Sequence, residues 1–147
     1  MNGQKARYYF ENGYMCAESV LLAICEAQKI ENSSIPAIAT AFCSGTARTK
    51  GNCGALAGGI LAISLIHGRT EPDQSVDLCY KLTQQLTAHF KNKFNSDNCF
   101  KIIDCDLSIT EGRDKFKNND IKQKVCLDLV EEVTDYTLNI LTSEQKN

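Results

Sequence analysis

The stretch CGALAGGILAISLIHG, residues 53–68, contains the pattern that decides the fold. It is apolar and uncharged up to His67, and Gly68 follows at the position where glycine commonly ends a helix. Gly54, Gly58 and Gly59 each cost a helix about 1 kcal/mol relative to alanine. Close packing against neighbouring helices, or against a bound group, would offset that cost. We therefore predict a slim central helix over residues 53–67 with close neighbours.

Apolar residues recur at helical spacing through most of the remaining chain. No segment shows the alternation typical of a strand, and the polar stretch 45–52 (GTARTKGN) predicts a loop. The sequence thus predicts an all-α protein with a single domain over residues 1–147, folded as one compact helical bundle of about five to seven helices. Beside the central helix, the predicted helices span about 6–10, 16–28, a short segment from 35, 73–94, 98–103 and 120–141.

Composition excludes several classes of protein. The net charge of −2 provides no basic surface for nucleic acid, and no segment has the ~20 apolar residues of a membrane-spanning helix. The N-terminus shows no apolar stretch of signal-peptide length, so we expect a cytoplasmic protein.

The chain has 8 cysteines in 147 residues, too few for a disulfide scaffold. In a reducing compartment, clustered cysteines indicate metal or redox chemistry.

The spacing of the cysteines argues against several common kinds of cysteine site. No Cys-x-x-Cys pair occurs, which argues against a thioredoxin-type dithiol and a zinc ribbon. No Cys-x-x-Cys-His occurs either, so we expect no c-type haem. His67 and His89 are isolated, and we predict structural roles for both.

Three cysteines are predicted at or near helix starts, where the helix dipole and free N–H groups favour a thiolate. Cys53 begins the slim helix, with Arg48 and Lys50 close in sequence, and we expect its pKa to lie below that of a free cysteine, about 8.5. Cys99 lies in the first turn of the predicted helix 98–103, and Cys16 begins the predicted helix 16–28.

The remaining cysteines are less distinctive. The residues around Cys126 predict a core position, and Cys105 either joins the site of Cys99 or fills space. For Cys43 the sequence leaves both roles open. Cys25 and Cys79 lie among leucines, which predicts that they are packing residues.

The order and context of these cysteines resemble the C-GCAxxG-C-C family of redox-active proteins. The resemblance implies a set of four cysteines, Cys16, Cys53, Cys99 and Cys126, and a redox or cluster-binding role without a defined substrate. The segment here reads Cys-Gly-Ala where the family name spells Gly-Cys-Ala. The matching stretches are residues 13–20 (GYMCAESV), 42–45 (FCSG), 48–49 (RT), 53–59 (CGALAGG), 98–99 (NC), 105–108 (CDLS) and Cys126.

Three functions follow from these observations. The first is an iron–sulfur protein that transfers electrons to an unidentified redox partner protein, with Cys16, Cys53, Cys99 and Cys126 as ligands and Cys105 as a further candidate. The second is thiol–disulfide exchange without metal, through residues such as Cys53 and Cys99. The third is a zinc-bound or purely structural module, in which the slim helix could also mediate a homodimer. The sequence does not decide whether the protein is an enzyme.

Overall fold

In the computed structural model, which describes residues 2–146, the chain folds as an all-α bundle, as the sequence predicts. The described part has eight α-helices, one more than the upper end of the prediction, and no strand. A 3-10 segment spans Ala37–Phe42 and a π-helical segment spans Lys122–Cys126. The α-helices are α1 (Asn2–Glu11), α2 (Cys16–Ala27), α3 (Cys43–Arg48), α4 (Gly54–His67), α5 (Asp77–Phe94), α6 (Cys99–Ile103), α7 (Thr110–Asn118) and α8 (Leu127–Gln145).

Helices α2 and α4 form the centre of the bundle. Helix α2 packs against α1, α4 and α8, and α4 packs against α2, α5 and α8. The core between them is made of fully buried aliphatic side chains, among them Val20, Ile24, Leu56 and Ile63. The slim glycine-rich helix is therefore central, as its sequence predicts.

Gly58 lies at a close contact between α2 and α4. A Cβ atom at this position would lie 2.7 Å from the Ala17 carbonyl oxygen and 3.0 Å from the Val20 Cβ. The first of these neighbours is backbone, which cannot rotate away. The low helix propensity of glycine is thus offset here by a close helix–helix contact.

The structure corrects the sequence-based boundaries in four places. Helix α5 begins at Asp77, not near residue 73, because residues 71–74 form a turn and a bend. Helix α7 was not predicted, because Gly112 is its only buried residue and it has almost no apolar stripe. The predicted helix over 120–141 begins with the π-helical segment and continues to Gln145. The predicted helix from about residue 35 is the 3-10 segment.

The predicted loop over 45–52 is only partly a loop. Residues 44–47 have left-handed backbone angles, with φ between 54° and 64°, and Arg48 has φ 65°. Within α3 they form a left-handed helical turn, in which Gly45 O accepts hydrogen bonds from the N–H groups of Thr49 and Gly51. Only glycine adopts this conformation without strain, so no local sequence pattern predicts a run of it.

None of the helices in the described residues combines the length and the apolarity that a membrane crossing needs.

Gly58→Ala should lower the free energy of unfolding by about 1–3 kcal/mol, because the added methyl group overpacks a contact with backbone. The gain in helix propensity, about 1 kcal/mol, would offset only part of that loss. Urea titration followed by circular dichroism measures the change. Leu65→Ala, at an exposed position of the same helix, is the control and should shift stability by no more than about 0.5 kcal/mol. Equal stability of Gly58→Ala and the wild type would contradict the proposed closeness of α2 and α4.

Candidate cofactor site

A cavity of about 340 Å³ opens at the end of the bundle where α2, α4 and α6 begin. This volume lies within the range of small-molecule pockets, roughly 300–1,000 Å³. The structure brings four of the predicted site residues to its wall: Cys16, Cys53, Cys99 and Cys126. They are the four that the family resemblance implied.

Three of the four cysteines lie at helix starts, as expected. Cys16 is the first residue of α2, Cys99 is the first residue of α6, and Cys53 immediately precedes α4. Cys126 is the last residue of the π-helical segment. Its side chain is partly buried and packs against the hydrophobic core, as its neighbours predict, and it also lines the cavity. Single π-helical turns inside α-helices occur frequently at functional sites.

Backbone hydrogen bonds join the starts of α4 and α6. The Cys53 N–H donates to the Asp97 carbonyl oxygen at 2.7 Å, and the Cys99 N–H donates to the Gly51 carbonyl oxygen at 3.0 Å. The side-chain amide of Asn98 donates to the Lys50 carbonyl oxygen at 2.7 Å. These three bonds fix the relative positions of Cys53 and Cys99.

Gly54 sets the position of Cys16. A Cβ atom at residue 54 would overlap the Cys16 Sγ and would lie 3.2 Å from the Cys43 Cα. The sulfur of Cys16 therefore lies directly against the backbone of α4, one residue from Cys53. Glycine is required here because any side chain would displace this sulfur.

Burial dominates the ionisation of the cavity thiols. It raises the pKa of Cys53, although the N–H groups of Leu56 and Ala55 point at the sulfur and act in the opposite direction. The pKa of Cys99 and that of Cys126 are both raised to about 12. Burial is the main cause, and the charge that a Cys53 thiolate would carry is the second. The predicted lowering of the Cys53 pKa is thus wrong, because desolvation outweighs the effect of the helix start.

Cys16 and Cys43 form a contact that the sequence did not reveal. A hydrogen bond between the two side chains raises the pKa of Cys16, with burial as the second cause, and lowers that of Cys43 to about 7. The N–H groups of Glu18 and Ala17 also point at the Cys43 sulfur and lower its pKa. Cys43 is 2% exposed and does not line the cavity. The two residues are far apart in sequence, so only the packing of α3 against α2 brings them together.

The other cysteines lie away from the cavity wall. Cys105 is buried behind it, close enough for its charge to raise the pKa of Cys99 and Cys126. Cys25 and Cys79 belong to the hydrophobic core, as predicted.

Neither histidine lines the cavity. The ring of His89 stacks on Tyr136, with centroids 3.7 Å apart, and its Nε2 is 2.7 Å from Glu132 Oε1. The Nε2 of His67 is buried without a hydrogen-bond partner in the described structure. The position of His89 agrees with the predicted structural role.

Basic and aromatic side chains complete the cavity wall. Arg48, Arg113 and Lys122 line it, and no carboxylate does so within residues 2–146. Arg113 is held by hydrogen bonds to the Leu107 carbonyl oxygen and the Thr110 hydroxyl, and Lys122 Nζ stands 4.6 Å from the Phe10 ring centroid. A cavity with three cations and no anions favours a negatively charged occupant.

The four thiols surround the cavity and do not converge on one point. In the described part of the chain, no three His, Cys, Asp or Glu side chains are close enough together to share one metal ion. The sulfurs of the cavity still interact, since the charge of Cys53 raises the pKa of Cys16, Cys99 and Cys126.

In the metal-free reduced protein, Cys16, Cys99 and Cys126 should react with N-ethylmaleimide before the other five cysteines, because these three are partly exposed and the others are buried. Peptide mass spectrometry after a time course of labelling measures the order. Labelling in guanidinium chloride, where all eight thiols should react, is the control. Early labelling of Cys25 or Cys79 would show that the cavity is placed wrongly.

Comparisons with curated proteins and with solved structures give no significant match. A family model described as "Putative redox-active protein (C_GCAxxG_C_C)" matches residues 14–140, a span that includes all four cavity cysteines. With most of its length matched, the chain belongs to this C_GCAxxG_C_C family.

Proposed function

We propose that this protein transfers electrons through an iron–sulfur cluster held in the cavity by Cys16, Cys53, Cys99 and Cys126. The observation that carries the proposal is the meeting of these four thiols, contributed by separate elements, at the wall of one cavity. The family supports a redox role in general.

The set of donor atoms fits a cluster better than a single ion. Cysteine thiolates are the usual ligands of iron–sulfur clusters, in which different cysteines can bind different iron atoms. A structural zinc ion instead needs four ligands that all approach it to about 2.0–2.3 Å. Thiols spread around a cavity therefore favour a cluster over zinc.

The chain's own groups would stabilise thiolate ligands. The N–H groups of Ala55 and Leu56 point at the Cys53 sulfur, and that of Ser44 points at the Cys16 sulfur. Hydrogen bonds to cysteine sulfur are among the factors that set the reduction potential of a cluster. Because burial keeps Cys53, Cys99 and Cys126 protonated at neutral pH, iron binding must release their protons, and assembly is favoured as pH rises.

Arg48, Arg113 and Lys122 provide the charge that a negatively charged cluster requires. Charge interactions are stronger in a partly buried site than in water, since the effective dielectric constant is lower. The absence of carboxylates from the described cavity wall acts in the same direction.

Thiol–disulfide exchange through Cys53 and Cys99 is less well supported. An attacking thiol works best when its pKa is near the ambient pH, and burial raises the pKa of both residues, that of Cys99 to about 12. The bound-zinc and purely structural alternatives remain as outcomes of the following experiment.

Protein purified without oxygen should contain iron and acid-labile sulfide and absorb visible light, and Cys53→Ser should lose all three. Serine is close to cysteine in size and suits the position before a helix, so the helical circular dichroism should stay nearly unchanged. Cys79→Ser, in the core away from the cavity, is the matched control and should keep the cluster. Zinc without iron would indicate the zinc-bound alternative, and no metal at all would indicate the structural one. Full cluster content in Cys53→Ser would contradict the assignment of the ligands.

Arg48→Gln should make the reduction potential of the cluster more negative, because reduction adds negative charge and the substitution removes a nearby cation. Arg48 is exposed at the cavity mouth, so the potential should be measured at low ionic strength, where screening is weak. Spectroelectrochemical titration measures the shift. Arg69→Gln, an exposed arginine outside the cavity, is the control and should leave the potential unchanged. An unchanged potential in Arg48→Gln would show that the guanidinium does not act on the cluster.

A further inference from the structure

Cys16 and Cys43 meet beside the first turn of α4. The two side chains lie close together. The point that a Cβ of residue 54 would occupy is in contact with Cys16 Sγ and is 3.2 Å from Cys43 Cα. Gly54 thus leaves room for two cysteines from separate elements, α2 and α3, to lie against each other.

The two thiols differ in their access to solvent. Cys16 lines the cavity and is partly exposed, whereas Cys43 is 2% exposed and lies outside the cavity wall. The Cys43 Sγ lies 3.6 Å from the Ala39 carbonyl oxygen and also faces the N–H groups of Ala17 and Glu18. A reagent that enters the cavity meets Cys16 first, and Cys43 is held directly behind it.

We propose that, in the protein without cofactor, Cys16 and Cys43 form a reversible disulfide when a hydroperoxide enters the cavity. The bridge itself does not depend on a cluster. Its regulatory consequence rests on the proposed function: a Cys16 that is bridged to Cys43 cannot bind iron, so oxidation would block assembly.

The chemistry balances with a hydroperoxide as the oxidant. One sulfur of the pair attacks the peroxide, the O–O bond breaks, and that cysteine becomes a sulfenic acid while one alcohol or water molecule is released. The other thiol of the pair then attacks the sulfenic sulfur, so that the S–S bond forms, the S–O bond breaks and water leaves. The two thiols together lose two electrons and two protons. A dithiol reductant reverses the reaction by exchange.

Cys53 is the competing partner for Cys16. Its charge acts on Cys16, so it is near, but Cys43 has the larger effect on Cys16. A Cys16–Cys53 bridge is therefore the outcome that most directly opposes the proposal.

The experiment maps the bridge in the full chain, stripped of metal and fully reduced. After one equivalent of hydrogen peroxide, the remaining thiols are blocked with N-ethylmaleimide and the protein is digested for mass spectrometry. We expect peptides of Cys16 and Cys43 joined with the loss of two hydrogen atoms, and their separation by dithiothreitol. A bridge from Cys16 to Cys53 or Cys99, or no bridge at all, would overturn the proposal.

Variants separate the roles of the two thiols. Cys43→Ser and Cys16→Ser should each form no bridge, because either substitution removes one of the two sulfurs. Cys43→Ala repeats the test if serine disturbs the buried position, and circular dichroism reports folding of both. Cys25→Ser changes a core cysteine of the same helix as Cys16 and should leave the bridge unchanged.

Cluster reconstitution distinguishes this inference from the proposed function. Peroxide-treated wild type should bind no iron until dithiothreitol is added, whereas reduced Cys43→Ser, which keeps all four proposed ligands, should bind iron fully. If the bridge forms and no sample ever binds iron, only the proposed function fails. If reduced protein binds iron and no Cys16–Cys43 bridge appears, only the present inference fails.

Discussion

The contact between α2 and the first half of α4 determines the geometry of the whole cavity. Gly58 admits the backbone of Ala17, and Gly54 admits the sulfur of Cys16. If either position carried a side chain, the start of α2 would move away from α4, and Cys16 would move away from Cys53. The glycine-rich segment thus has two effects at once: it centres the core on a slim helix, and it places two thiols of the site side by side. The stability of the bundle and the geometry of the cavity therefore both depend on having no side chain at Gly54 and Gly58.

The left-handed turn at residues 44–48 makes an unfavourable contribution to the free energy of folding at this end of the bundle. Left-handed helical angles cost an L-residue roughly 1–2 kcal/mol, and Ser44, Thr46, Ala47 and Arg48 all adopt them. The local hydrogen bonds to Gly45 O do not by themselves explain such a conformation. The turn positions Ser44 and Arg48 at the cavity wall. It also begins at Cys43, which lies beside Cys16. Strained backbone of this kind clusters at functional sites, where the surrounding structure maintains it.

The sequence predicts those features that depend on local pattern and misses those that depend on packing. Helical periodicity predicts the all-α class, and the glycines predict a closely packed central helix. The grouping of four cysteines followed from a family resemblance; from its neighbours alone, Cys126 is predicted to be a core residue. Helix α7 has almost no buried face, so periodicity could not reveal it. The direction of the Cys53 pKa shift was predicted wrongly because a helix start is visible in the sequence, whereas complete burial is a tertiary property.

Burial and charge are the two properties of the cavity on which the proposed metal cofactor rests. Ionising Cys53, Cys99 or Cys126 alone would place a negative charge in a poorly solvated site, next to thiols that repel it. A metal removes this penalty because it replaces each proton with a directly bonded cation. The excess negative charge of four thiolates and bound sulfide would then face Arg48, Arg113 and Lys122, for which the described cavity wall offers no carboxylate partner. Cys43 is the exception among these thiols, because its sulfur has a hydrogen bond from Cys16 and two backbone N–H groups to stabilise a charge. The one thiol suited to reaction without metal therefore lies behind the cavity wall, in contact with a proposed ligand.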